Sequence, residues 1–260
     1  MVPSGHQPEG AGGGFLLTIP ATHTMTDKAI IWDYDGTIAD TQAVNFTITK
    51  KIMHRLMGMR SEEYSALASL ENYISATKRA MNWRELYRDE FKMSEKSIDE
   101  AGALWTEYQL DESSETIFYD GIEDAIKSLA RFPSLIFSQN SRTKIAQALE
   151  RKDLRRCFLD IIGYEELSSA NQKPAPDGLL LCLDRLGPSD SRHVFFIGDH
   201  ETDTLCGHRA NMELRGRNAD ARIINVAALY GSKGSISGWQ IKPDHIAEST
   251  QEIFRIVESY

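Results

Sequence analysis

Short apolar segments of this 260-residue sequence end in side chains that could do chemistry. The polar groups that follow three of these segments are Asp33-Tyr34-Asp35-Gly36-Thr37, Ser138-Gln139-Asn140 and Gly198-Asp199-His200-Glu201-Thr202-Asp203. If the segments are strands of an open α/β sheet, their carboxyl ends meet in one crevice, where such folds bind ligands. Aspartates gathered there would repel one another without a cation, and an oxygen-only set suits Mg²⁺ better than zinc. The aspartates in question are Asp33, Asp35, Asp199 and Asp203.

The spacing of Asp33 and Asp35 suits the transfer of a phosphoryl group in two steps. At the end of a strand one carboxylate can attack while the other handles protons, and an acyl-phosphate divides a hard hydrolysis into two easier reactions. Gly36 allows a tight turn, and Thr37 with the N–H groups after it could bind an anion. Lys173, at the start of a predicted helix, could supply a fixed positive charge that neutralises phosphoryl oxygens together with Mg²⁺.

Alternating strand and helix patterns predict the fold that would position these groups. Continuous apolar segments suit strands that are buried on both faces of a parallel sheet; they are Ala29–Trp32, Leu135–Phe137, Val194–Ile197 and Ile223–Val226. Helical spacing of apolar residues lies between them, as in Ile122, Ile126 and Leu129, or Leu179, Leu183 and Leu186. The alternation indicates a doubly wound α/β fold with a parallel sheet.

One long segment, residues 41–117, breaks this alternation and has the pattern of helix throughout. Apolar residues recur at helical spacing at its two ends, in Val44, Ile48, Ile52 and Leu56 and again in Ile98, Ala101, Trp105 and Tyr108. We therefore predict an α/β core of residues 28–40 and 118–260 with an inserted all-helical cap of residues 41–117. Residues 1–27 are predicted to be a disordered tail, and either Met1 or Met25 could be the native start.

These motifs in this order resemble the haloacid dehalogenase superfamily, in particular its phosphoglycolate-phosphatase-like group with a helical cap. The resemblance covers residues 28–260 and rests on Asp33-Tyr34-Asp35-Gly36-Thr37-Ile38-Ala39-Asp40, Ser138, Lys173-Pro174-Ala175-Pro176-Asp177 and Gly198-Asp199-His200-Glu201-Thr202-Asp203. It implies a Mg²⁺-dependent phosphatase that hydrolyses a small phosphorylated metabolite through an aspartyl-phosphate. The ester itself stays open between phosphoglycolate, a sugar phosphate and a nucleotide.

The resemblance also implies a role for each aspartate. Asp33 would be the nucleophile that becomes phosphorylated, and Asp35 would protonate the leaving oxygen and then activate water. Asp33, the backbone carbonyl of Asp35 and Asp199 would hold Mg²⁺. Asp203 would ligate the ion or support its ligands from outside the coordination sphere.

Other positions would contact the substrate. Ser138 and Lys173 would bind the phosphoryl group, and Asn140 is a candidate substrate-binding residue whose role the resemblance leaves open. In the cap, Arg84 suits a carboxylate or a second phosphate of the substrate, although an ordinary amphipathic helix with solvated arginines would give the same pattern. The segment Glu213–Arg222 is longer than the turn usual in relatives and receives no function.

Composition narrows the classes of partner. The 29 basic against 38 acidic residues give a net charge of −9, which argues against binding to nucleic acid or to an anionic membrane. The cysteines, Cys157, Cys182 and Cys206, have neither a disulfide nor a zinc spacing, and no apolar segment approaches the length of a membrane span. We expect a cytoplasmic protein, and a monomer or a homodimer would fit equally.

Other activities on the same scaffold are less favoured by the motifs. Haloacid dehalogenases lack the second acid of the first motif, and phosphonate hydrolases have a small residue there, so Asp35 counts against both. Sugar phosphomutases keep both acids, but their fourth motif usually reads Glu-Asp where this chain has Gly198-Asp199. A phosphomutase is the main alternative, followed by a non-catalytic binding protein, since a fold by itself does not fix a function.

Overall fold

The computed structural model describes residues 27–58, 63–112, 116–187, 193–231 and 234–260. The predicted disordered tail and the choice between Met1 and Met25 lie outside the described residues, apart from Asp27. The strands are β1 (Lys28–Trp32), β2 (Ala39–Asp40), β3 (Ile117–Phe118), β4 (Ser134–Phe137), β5 (Asp160–Ile162), β6 (His193–Gly198), β7 (Arg222–Ala228) and β8 (His245–Ala247). The α-helices are α1 (Gln42–Met57), α2 (Leu70–Arg79), α3 (Trp83–Asp89), α4 (Glu95–Asp111), α5 (Ile122–Leu129), α6 (Arg142–Arg151), α7 (Asp177–Leu186), α8 (Glu201–Gly216) and α9 (Thr250–Glu258).

The main sheet has six parallel strands in the order β5-β4-β1-β6-β7-β8. At the end of β1, Trp32 lies opposite Ile136 of β4 on one side and Ile197 of β6 on the other. The chain moves to opposite sides of β1 to form β4 and β6, so the ends of these three strands surround a switch point of the kind that binds ligands. The prediction of a doubly wound parallel sheet is confirmed.

Both faces of the sheet are covered by helices. On β1, Ile30 and Trp32 belong to a core that includes residues of α5, α6 and α9, whereas Ala29 and Ile31 belong to a second core with residues of α7 and α8. Successive side chains of a strand point to opposite faces. A strand covered on both sides is therefore apolar without alternation, as the sequence pattern predicted.

Between β2 and β3 the described residues form helices α1–α4 and a short 3₁₀ helix, Ser65–Leu67. We call α1–α4 the cap helices. They bury an apolar cluster of their own, in which Ile48 and Ile52 of α1 meet Ile98 and Ala101 of α4. The antiparallel pairing of Ala39 with Phe118 brings the two connections of this segment side by side. The cap boundaries 41–117 stay a prediction.

Several features differ from the sequence interpretation. The short strands β2, β3, β5 and β8, of two or three residues each, were not predicted because so few residues carry no periodicity. The segment Glu213–Arg222 is not an extended turn, because helix α8 continues to Gly216 and Arg222 already begins β7. Of the helices in the described part of the chain, none has both the length and the hydropathy that a membrane span requires.

Candidate active site

The turn after β1 places an acidic pair beside a third carboxylate. Asp33 N–H donates to the carbonyl of Ile197, 2.8 Å away, which extends the pairing with β6 by one residue. Gly36 has a φ of +80°, and its N–H donates to the carbonyl of Ala39 at 2.9 Å. A Cβ at Gly36 would overlap the carboxylate of Asp199. Glycine is therefore required here twice, for its backbone conformation and for the close approach of Asp199.

The carboxylates of Asp33, Asp199 and Asp203 form a compact cluster, with one oxygen from each lying within 4.8 Å of the others. Oxygen ligands bind Mg²⁺ at about 2.1 Å and Ca²⁺ at about 2.3–2.6 Å. Two oxygens on the same ion are therefore at most about twice that distance apart, which is similar to the spread of this cluster. The donor set contains oxygen only, which suits a hard divalent cation. These residues therefore fit the predicted metal, and the side chain of Asp35 lies outside the cluster.

Lys173 is the positive charge of this site. Its Nζ lies 2.5 Å from Asp33 Oδ1 and 2.8 Å from Asp203 Oδ1, and its side chain is only 3% exposed. The ammonium also lies 4.8 Å from the ring centre of Phe137 and 5.1 Å from that of Phe196. Burial alone would lower the pKa of Lys173, but the carboxylates of Asp203 and Asp33 raise it above its ordinary value. The lysine is therefore a buried cation held between two carboxylates.

One lysine does not balance the acidic cluster. Burial, with smaller contributions from Asp203 and Asp35, raises the pKa of Asp33 from 3.8 to about 7 although Lys173 opposes the change. Burial and the neighbouring carboxylates Asp33 and Asp203 hold the pKa of Asp199 well above its ordinary value. The protein alone thus disfavours full ionisation of the cluster, and a bound divalent cation would relieve the repulsion.

Asp35 faces the end of β4 rather than the acidic cluster. Its carboxylate accepts a hydrogen bond from Ser138 Oγ at 3.2 Å and another from Asn140 Nδ2 at 2.9 Å. Burial raises the pKa of Asp35 despite these hydrogen bonds. Asp35 is therefore a restrained carboxyl group with an increased tendency to hold a proton, which suits a general acid. The structure also gives Asn140 a specific partner, which the sequence left open.

A cavity of about 240 Å³ opens between these strand ends and the cap helices. From the core it is lined by Asp33, Asp35, Gln139, Asn140, Tyr164, Lys173, Asp199, His200, Thr202 and Asp203. From the cap helices it is lined chiefly by Tyr73, Trp83, Leu86, Tyr87 and Trp105. The structure thus brings the predicted catalytic and metal-binding residues to one site, with Ser138 joined to it through Asp35.

Arg84 does not take the place that the sequence interpretation gave it. It is not among the described residues that line the cavity, and its guanidinium pairs with Glu95 at 3.0 Å and Asp99 at 2.8 Å. Both acids belong to α4, a different helix, so their pairing with Arg84 had no signal in the local sequence. Arg84 thus forms ion pairs within the cap while its neighbour Trp83 lines the cavity, and a role of Arg84 in substrate binding stays a prediction.

Sequence reasoning missed the residues that join the cap helices to the core. Thr202 Oγ1 donates to the carbonyl of Met81 at 2.5 Å, and Trp83 Nε1 donates to Gln172 Oε1 at 3.4 Å. His200 immediately precedes α8, and its Nδ1 accepts a hydrogen bond from Thr202 N–H at 3.2 Å. Since Thr202 lies inside the fourth motif and Gln172 precedes Lys173, the core motifs also hold the cap in place.

Known proteins are similar to this chain in sequence or in fold. The chain is 25% identical to the pyrophosphatase PpaX of Oceanobacillus iheyensis over 236 residues, which cover 90% of this chain and 98% of that protein. Crystal structures with the same fold include a predicted phosphatase from Clostridium acetobutylicum, with a TM-score of 0.67, 18% identity and coverage of 90% and 99%. Another is a predicted phosphoglycolate phosphatase from Haemophilus somnus, with a TM-score of 0.66, 16% identity and coverage of 89% and 99%.

The family itself follows from the sequence. Residues 30–216 match the sequence model of the haloacid dehalogenase-like hydrolases, a span that contains the turn after β1, Ser138, Lys173, Asp199 and Asp203. The resemblance stated from the motifs is confirmed, as is the prediction of a hydrolytic enzyme. The chain belongs to the haloacid dehalogenase-like hydrolase family.

Proposed function

We propose that the protein is a Mg²⁺-dependent phosphatase that hydrolyses a small phosphorylated metabolite through an aspartyl-phosphate on Asp33. The observation that carries the proposal is the contact of buried Asp33 with Lys173 beside the carboxylate of Asp199. A nucleophile next to a fixed cation and a divalent-cation site is suited to a dianionic phosphoryl group. Two similar proteins are named as a pyrophosphatase and a predicted phosphoglycolate phosphatase, and both names describe hydrolysis that releases phosphate.

In the first step Asp33 Oδ attacks phosphorus. The new O–P bond forms as the bond from phosphorus to the leaving oxygen breaks, and Asp35 gives that oxygen its proton. In the second step the Asp35 carboxylate takes a proton from water, and the water oxygen attacks phosphorus. The bond from Asp33 to phosphorus then breaks, so that Asp33 is again a carboxylate and inorganic phosphate leaves.

The remaining groups neutralise charge. Mg²⁺ would be held by Asp33, Asp199 and the backbone carbonyl of Asp35, with Asp203 as a further ligand or as a support. When bound, the ion supplies positive charge to the phosphoryl oxygens. Lys173 would supply positive charge from the protein, and Ser138 would donate a hydrogen bond to the phosphoryl group. Residence in the cytoplasm and a monomeric or homodimeric state stay predictions.

A phosphate-release screen tests the proposal. The purified protein is incubated with a library of phosphorylated metabolites and with p-nitrophenyl phosphate, in Mg²⁺ and in excess chelator. We expect turnover that needs Mg²⁺ and is abolished by Asp33→Asn, whereas Asp220→Asn, an exposed aspartate outside the site, retains it. Substantial hydrolysis by Asp33→Asn would contradict the assignment of the nucleophile.

A further inference from the structure

The cap side of the cavity has a chemical character that bears on the leaving group of the substrate. Most of its large described side chains are aromatic or aliphatic, namely Tyr73, Met81, Trp83, Leu86, Tyr87 and Trp105, and its uncharged polar residues are Gln42, Asn45, Thr77 and Asn82. Among the described residues of α1–α4 and their connections that line the cavity, Lys78 is the only charged one, and its side chain is exposed. The surface that faces the departing part of the substrate is thus mainly apolar.

Among the described core residues that line the cavity, Lys173 is the only lysine or arginine. The Lys173 ammonium already contacts Asp33 and Asp203 and is the cation that faces the phosphoryl position. Arg84, whose guanidinium would suit a carboxylate or a second phosphate, is paired with acids of α4. Apart from exposed Lys78, the described cap residues that line the cavity carry no positive charge, and because burying an anion without a partner is unfavourable, a charged leaving group is disfavoured here.

Trp83 is held in one orientation by contacts on several sides. Its Nε1 donates to Gln172 Oε1, and its ring meets that of Tyr87 edge to face, with the ring centres 5.8 Å apart. On α4, a Cβ at Gly102 would lie 3.0 Å from Cη2 of Trp83, so the absence of a side chain lets the indole lie against the helix. A pinned indole is a pre-organised surface for a planar group, because little freedom remains to be lost on binding.

We propose that the substrate is the phosphate monoester of an uncharged alcohol that carries one aromatic ring, which packs against Trp83 and Trp105. An apolar cavity of about 150 Å³ is enough to hold benzene. The cavity of about 240 Å³ therefore has room for a phosphoryl group and a single ring. This inference rests on the proposed phosphatase activity and names a substrate class that differs from phosphoglycolate and from pyrophosphate, both of which have anionic leaving groups.

The test compares four phosphates under the same Mg²⁺ conditions: benzyl phosphate, ethyl phosphate, phosphoglycolate and inorganic pyrophosphate. Burial of the ring should give benzyl phosphate a kcat/KM at least about tenfold above each of the other three. Because benzyl and ethyl alcohol are similarly poor leaving groups, the ratio of kcat/KM for benzyl phosphate over ethyl phosphate measures the contribution of the ring. An equal or higher kcat/KM with phosphoglycolate or pyrophosphate would overturn the proposed substrate class but would still support the proposed phosphatase activity.

Variants of the cap residues test which side chains recognise the aromatic ring. Trp83→Leu should lower the ratio of kcat/KM for benzyl over ethyl phosphate at least about tenfold, and Gly102→Ala should lower it less, by displacing the indole. Trp239→Leu, a matched change outside the cavity lining, should leave the ratio as in the wild type. Thermal unfolding verifies that each variant is folded, and an unchanged ratio in folded Trp83→Leu overturns the role of Trp83.

A binding measurement separates the two proposals. Benzylphosphonate has no ester bond, so its calorimetric affinity with Mg²⁺ does not depend on turnover. Tight, Trp83-dependent binding without hydrolysis of any ester would contradict the proposed phosphatase activity but support the binding of an aromatic ring at Trp83. If benzylphosphonate binds no more tightly than methylphosphonate, the proposed recognition of an aromatic ring is contradicted, whether or not the esters are hydrolysed.

Discussion

The ammonium of Lys173 lies 2.5 Å from a carboxylate oxygen of Asp33, and both side chains are buried. The same ammonium lies 2.8 Å from Asp203, so it ties the end of β1 to the start of α8. The aromatic rings of Phe137 and Phe196, on the neighbouring strands, lie close to the charge. The contact fixes the proposed nucleophile and keeps a positive charge where the phosphoryl group would lie.

Removal of this cation should cost stability as well as activity. Lys173→Met leaves buried carboxylates without their partner, and breaking a buried pair costs about 3–5 kcal/mol. We expect that loss in urea unfolding of the metal-free protein at pH 8, and a smaller loss at pH 5, where protonation of Asp33 removes part of the uncompensated charge. Lys127→Met, which breaks an exposed pair with Glu123, should change the free energy of unfolding by less than about 1 kcal/mol. An equal, small effect of both substitutions would contradict the structural role of Lys173.

The raised pKa of Asp33 predicts how stability responds to pH. The folded protein holds the proton of Asp33 up to about pH 7, whereas an ordinary aspartate has a pKa of 3.8. Ionisation of buried Asp33 therefore destabilises the folded protein increasingly as the pH rises between these values. In the presence of a chelator, Asp33→Asn should therefore gain stability relative to the wild type from pH 5 to pH 8, by about 3 kcal/mol. Denaturant unfolding at several pH values measures this difference, and a difference that is flat or of opposite sign would show that the carboxyl ionises normally.

Binding of a divalent cation should depend on pH in the opposite sense. Protons compete with Mg²⁺ for the cluster of Asp33, Asp199 and Asp203, so the ion should bind more weakly as the pH falls below about 7. We expect Mg²⁺ to raise the unfolding temperature more at pH 8 than at pH 5.5, and Asp199→Asn to remove most of the effect at pH 8. Asp220→Asn, with the same loss of one charge outside the site, is the control. A Mg²⁺ effect that survives Asp199→Asn places the ion elsewhere.

The contact of Asn140 with Asp35 gives two distinguishable outcomes for Asn140→Ala. If Asn140 positions the acid, as the 2.9 Å hydrogen bond indicates, kcat should fall by about ten- to a hundredfold with little change in KM. Steady-state kinetics with p-nitrophenyl phosphate measure both, after thermal unfolding has shown that the variant is folded. If KM rises while kcat is kept, Asn140 contacts the substrate directly, as the sequence interpretation assumed.

The core of the site could be predicted from sequence because its residues are tied to strand ends. Apolar segments before Asp33, Ser138 and Asp199 predicted buried parallel strands, and the carboxyl ends of such strands lie at one edge of the sheet. The site's core residues therefore meet although more than one hundred residues separate Asp33 from Ser138 along the chain.

The cap side could not be predicted in the same way. A helix presents many side chains outward, and which of them line a cavity depends on how the helices pack. Arg84 pairs with acids on α4, while Trp83, its immediate neighbour, lies on the cavity, and local sequence does not separate these two outcomes. The short strands β5 and β8 are likewise specified by their pairing with longer neighbours rather than by a pattern of their own.

Chemical trapping of the proposed intermediate tests the central claim most directly. The wild-type protein is mixed with Mg²⁺ and p-nitrophenyl phosphate, quenched during turnover, reduced with borohydride and digested for peptide mapping by mass spectrometry. Borohydride reduces an aspartyl-phosphate to homoserine and leaves a free aspartate unchanged. The proposed mechanism predicts homoserine in place of Asp33, only when substrate is present and in no other aspartate. Release of phosphate with Asp33 unmodified at every quench time, or with homoserine formed at a different aspartate, would contradict it.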